Sequence, residues 1–88
     1  MKAIRKYDVD RDNALKNLDI KEFIAFMENH EYELGKKFVD DFKKEDKKTQ
    51  YMTMCKMVCN IQNFRRTETL KKAKKWLKEN GISEEILW

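Results

Sequence analysis

Proline is missing from all 88 residues, and glycine occurs only at Gly35 and Gly81. A β-rich domain needs turn formers at far higher density, so the chain is predicted to be all-α. Nowhere does an apolar run approach the roughly 20 residues that cross a bilayer, which predicts no membrane-spanning segment and no membrane partner. The opening Met1-Lys2-Ala3-Ile4-Arg5-Lys6-Tyr7 is basic but has no apolar core behind it, unlike a signal peptide. His30 is the only histidine and Ser83 the only serine. A serine triad would need both to converge with a carboxylate, while Ser83 stands where a helix cap is expected. The two cysteines, Cys55 and Cys59, lie four residues apart in a helical pattern, a geometry that disulfides do not favour. With one histidine they fall short of a zinc set, and on an apolar helix they read as packing. The expectation is a reduced, cytoplasmic, non-enzymatic protein without cofactor or small-molecule substrate.

What is present divides almost evenly. About 41% of residues are hydrophobic and 41% charged, as in a small protein whose helices each have a wet and a dry face. One domain over 1–88 is expected. The net charge of +4 is unevenly placed. Residues 1–46 carry 10 Lys/Arg against 12 Asp/Glu, a balance of −2, and residues 47–88 carry 10 against 4, a balance of +6. A basic half points towards an anionic partner.

The pattern centres on Gln50–Phe64, where Tyr51, Met54, Cys55, Val58 and Ile61 share one helical side with Met52, Cys59, Met57 and Phe64 at its edges. A helix this apolar must be surrounded by others. Ahead of it, Asp19 and Glu22 form a capping-box pattern, with Leu18 and Phe23 placed as a hydrophobic staple. The helix they open carries Ile20, Phe23, Ile24 and Met27 towards His30. A second stripe, Leu34, Phe38 and Phe42, follows a break expected between Asn29 and Gly35. Thr67 should cap a helix with Leu70, Ala73, Trp76 and Leu77 on its dry side. Gly81 at the left-handed position past its end would bring Ile82 onto Leu77, as in a Schellman motif. Ser83 would cap a last turn bearing Ile86, Leu87 and Trp88. The sum is a four-helix bundle with a short C-terminal helical turn, preceded by an irregular arm over 1–18.

Three sets of residues invite a functional reading. Asp8, Asp10 and Asp12 alternate, Leu15 follows at loop position 8 and Asp19 at position 12. This resembles the calcium loop of EF-hands, and more closely that of dockerin modules, with Asn13 where glycine usually makes the turn. The resemblance implies a metal site at those four aspartates; the plain alternative is a solvated acidic loop. Phe26, Met57, Phe64 and Trp88 lie at stripe edges, where partly exposed apolar side chains would meet a protein partner or a second copy of the chain. Finally, Arg65, Arg66, Lys71, Lys72, Lys74, Lys75 and Lys78 fall within fourteen residues. Such a surface suits the phosphates of DNA or RNA, without the Asn and Gln side chains that read base edges, or it is a solvated lysine face. The resulting expectation is a binding or regulatory protein acting by protein contact, its size and composition suiting an inhibitor or accessory factor of a phage or mobile element. The alternatives are a nucleic-acid-binding protein and, more distantly, a calcium-loop module.

Overall fold

The computed structural model describes residues 5–85, and these are helical with no strand among them. Six α-helices follow in order: α1 (Lys6–Leu15), α2 (Ile20–Asn29), α3 (Glu31–Leu34), α4 (Lys36–Lys44), α5 (Lys47–Asn60) and α6 (Glu68–Glu79), with a 3₁₀ turn at Gln62–Phe64. The fold is all-α, but four helices do not describe it.

Two departures come from the first half of the chain. The arm expected over 1–18 is a helix from Lys6 onward. Its apolar residues are sparse, yet Ala14, Leu15 and the following Leu18 are buried, and Tyr7 packs on the core. Distant partners complete it. Asn63 donates to Asp12 (2.7 Å), and the Thr69 hydroxyl donates to the Lys16 carbonyl (2.7 Å). Further on, the expected break between Asn29 and Gly35 is two breaks. His30 leaves the helical region at φ −119°, and Gly35 at φ +92° ends α3 and turns the chain into α4. Only glycine takes the latter backbone without strain.

The central helix starts earlier than its apolar pattern. Asp46 accepts the Thr49 N–H (2.7 Å), so Lys47-Lys48-Thr49 are its first turn. It also stops earlier: Ile61 is extended at φ −102°, and the 3₁₀ turn redirects Phe64 into the core. Met54, Cys55 and Val58 are fully enclosed, while Tyr51 and Ile61 on the same expected side are only half-buried. The buried Gln50 carboxamide donates to the Phe42 carbonyl at the end of α4 (2.8 Å), adding a second donor to the Glu45 N–H that this carbonyl already accepts (3.2 Å).

The helix-cap signals hold, although the Glu22 side chain makes no return bond to the Asp19 N–H, so the capping box is one-sided. Asp19 accepts from Lys21 and Glu22 N–H (2.8 and 3.3 Å) to open α2. Thr67 accepts from Leu70 N–H (3.3 Å) to open α6. Gly81, at φ +65°, donates to the Lys78 carbonyl (3.1 Å), and Ile82 donates to that of Leu77 (2.9 Å), which is the Schellman pair. An aromatic cluster fills the space between α2 and its neighbours: Phe23 meets Phe26 and Phe42, and Tyr7 and His30 meet Phe26, all with centroids 5.0–5.6 Å apart. No helix among the described residues is long and apolar enough to cross a membrane.

Candidate functional site

The basic helix α6 is held by its opposite side. Ala73 and Leu77 are fully buried against α5, with Leu70 and Trp76 half-buried beside them and the Trp76 ring edge-on to Tyr51 at 5.0 Å. Glu68 in the first turn and Lys78 in the last suit the helix dipole. With that side fixed, about 100° of turn per residue places Lys71, Lys74, Lys75 and Lys78 in one arc about 100° wide and about 10 Å long. All four are exposed. Lys72 is exposed as well but lies apart from them, beyond Glu68 and Glu79. Arg65 and Arg66 stand exposed in the connection just ahead of α6, with Arg66 in a left-handed conformation (φ +64°).

Few carboxylates reach this surface. Lys71 pairs with Glu68 at 3.3 Å, and Lys74 lies 4.0 Å from Glu84, a residue beyond the helix end. Among the described residues, Arg65, Arg66, Lys72, Lys75 and Lys78 form no ion pair. Two of the four arc lysines thus have a carboxylate beside them, while Lys75 and Lys78 have none in ion-pair range, and the arc keeps a net positive charge.

No protein family, curated protein or solved structure is matched by this chain.

The other sequence-derived sites fare differently. Asp8, Asp10 and Asp12 lie on α1, not on a loop, so they cannot wrap one ion. Asp8 pairs with Arg11 (3.5 Å), Asp12 with Arg11 (3.1 Å) and Asn63, and Asp10 reaches His30 on another side of the helix. Asp19 is committed to capping α2. No group of three or more His, Cys, Asp or Glu among the described residues is arranged to hold a metal. Phe26 and Phe64, expected at the surface, are both only 5% exposed. Helix α1 covers Phe26, and the 3₁₀ turn buries Phe64. Met57 is half-buried and lines a cavity of about 350 Å³ with Tyr7, Phe23, Met27, Leu34 and Phe38. Trp88 lies outside the described residues.

One constellation was hidden from sequence reasoning. The buried His30 ring is held at Nε2, 2.8 Å from Asp10, while Nδ1 lies 3.4 Å from Glu33 without a hydrogen bond, and the ring stands perpendicular to that of Tyr7. Asp10 is twenty residues away and on a segment with no helical periodicity, so no sequence signal joined them. Both cysteines are free thiols. Burial pushes Cys55 up to about 12, and burial also raises Cys59, with Glu84 adding to the rise and Lys74 opposing it. Neither is activated as a nucleophile.

Proposed function

We propose that this chain is a small, non-enzymatic binding protein whose α6 face engages the phosphate backbone of a nucleic acid. The observation that carries this reading is the arc of Lys71, Lys74, Lys75 and Lys78, which only Glu68 and Glu84 counter. Four lysines spread over two turns of one helix match a row of phosphates, each displacing a condensed counterion. Base-reading side chains are lacking on that arc, so binding is weakly dependent on sequence. The absence of an activated thiol and the enclosure of the only histidine support a binding role over a catalytic one.

Fluorescence anisotropy with labelled duplex DNA and RNA across a KCl titration tests the reading. Affinity should fall steeply with salt, and the combined change Lys71→Glu, Lys75→Glu and Lys78→Glu should abolish binding. Lys72→Glu, outside the arc, should weaken it far less. Wild-type protein without affinity for either nucleic acid at low salt would rule the reading out.

The cavity at Met57 favours a second reading, contact with a protein partner or a second copy through Met57 and Leu34. Sedimentation at increasing concentration tests the self-association form, which Met57→Glu should remove.

A further inference from the structure

The chain past α6 turns back towards the end of α5, along the edge of the basic surface. The left-handed Gly81 and the Ile82 N–H bond to Leu77 (2.9 Å) reverse its direction. The Asn60 carboxamide at the end of α5 donates to the Glu84 carbonyl (2.9 Å) while also donating to Lys56 of its own helix (2.8 Å). The Ser83 hydroxyl accepts the Glu85 N–H (3.1 Å). These bonds fix the Glu84 backbone, and its carboxylate lies 4.0 Å from Lys74 Nζ at the edge of the lysine arc.

We infer that Glu84 is a built-in competitor for the phosphate backbone, held so that it occupies Lys74 and lowers the affinity of α6 for nucleic acid. This rests on the phosphate-binding reading of α6. As a source of stability the pair is weak, because both side chains are about half exposed. Its position is what matters. A carboxylate whose backbone is anchored at the rim of a cationic surface repels an incoming phosphate and competes with it for Lys74. The Cys59 thiol, raised chiefly by burial, also lies in reach of both charges, Glu84 raising it further and Lys74 opposing.

The test compares wild type with Glu84→Gln, Asn60→Ala, Lys74→Gln and the Glu84→Gln/Lys74→Gln double variant, each checked for helicity by circular dichroism. Binding to labelled duplex DNA is followed by anisotropy across a KCl titration. Glu84→Gln should bind severalfold more tightly at low salt, and its log–log salt slope should steepen by about 0.9, one additional counterion released. Asn60→Ala should shift binding in the same direction. The double variant should return to the wild-type slope, because the lysine that was freed is gone. Separately, Glu84→Gln should speed Cys59 alkylation in the absence of nucleic acid. Wild-type binding with an unchanged slope in Glu84→Gln overturns this inference alone. An unchanged Cys59 rate overturns the placement of the carboxylate, and no wild-type binding at all overturns the phosphate reading together with it.

Discussion

The Asp10 carboxylate lies 2.8 Å from Nε2 of the buried His30, joining the first helix to the end of the second. Replacing Asp10 by alanine leaves a ring nitrogen in the interior without its partner. A loss of about 1–3 kcal/mol follows, measurable by urea denaturation. Amide exchange in α1 should accelerate more than in α5. Uniform protection across both helices would mean that this bond does not hold α1 in place.

Among the described residues, two with side chains sit in left-handed backbone, and they should respond to glycine in opposite ways. Leu18 (φ +50°) is 7% exposed, whereas Arg66 (φ +64°) is on the surface. The left-handed penalty of about 1–2 kcal/mol is partly offset by the extra entropy glycine loses on folding, about 0.5–1 kcal/mol. Arg66→Gly should therefore raise the unfolding midpoint by the equivalent of a few tenths to about 1 kcal/mol. Leu18→Gly removes a core side chain, and the loss of about 2–5 kcal/mol for such truncations outweighs any relief. Equal effects at the two sites would contradict this balance.

The thiols set an alkaline limit. Burial holds Cys55 at about 12, against an ordinary value of 9.0. Above pH 9 the unfolded chain loses this proton while the native state keeps it, so stability falls as pH rises from 9 towards 12. Cys55→Ala should cost about 1 kcal/mol at neutral pH and flatten that decline. In the native protein, iodoacetamide should label Cys59 before Cys55. Labelling in the reverse order would show that α5 is more open than its packing implies.

An acid limit of opposite sign lies at the start of α5. The Thr49 N–H bond lowers the Asp46 carboxyl below its usual range, with the Thr49 side chain and Lys48 acting in the same sense. The cap therefore contributes above the unfolded carboxylate value, and its contribution disappears as pH falls through the native one. Asp46→Asn keeps an acceptor but removes the charge, so its acid unfolding curve should lack this component. If it tracks wild type throughout, the cap is not titrating.

How legible each element was depended on how local its cause is. Asp19, Thr67 and the Gly81–Ile82 reversal were readable because each cap involves residues within a few positions. Helix α1 was not, because its partners are remote: Asp10 meets His30, Asp12 meets Asn63, and the Lys16 carbonyl meets Thr69. The error about Phe26 followed from this. Without α1 it lies at the edge of an apolar stripe, and with α1 in place Tyr7 stands 5.4 Å from its ring. Phe64 was misjudged for a different reason, since a uniform helical period cannot foresee the turn after Asn60. The lysines of α6 were legible as a cluster, but separating Lys72 from the arc required knowing which side of the helix was buried. Glu84 carried no sequence signal as a neighbour of Lys74, ten residues before it.

The ties between α1 and the far end of the chain also set an order of assembly. Asn63 and Thr69 reach back 51 and 53 residues to Asp12 and Lys16. During synthesis α1 is made well before either partner exists, and closing so long a loop is slow relative to local contacts. Helix α1 can dock on α2 as soon as His30 is made, but its ties to Asn63 and Thr69 close only once the far end of the bundle exists.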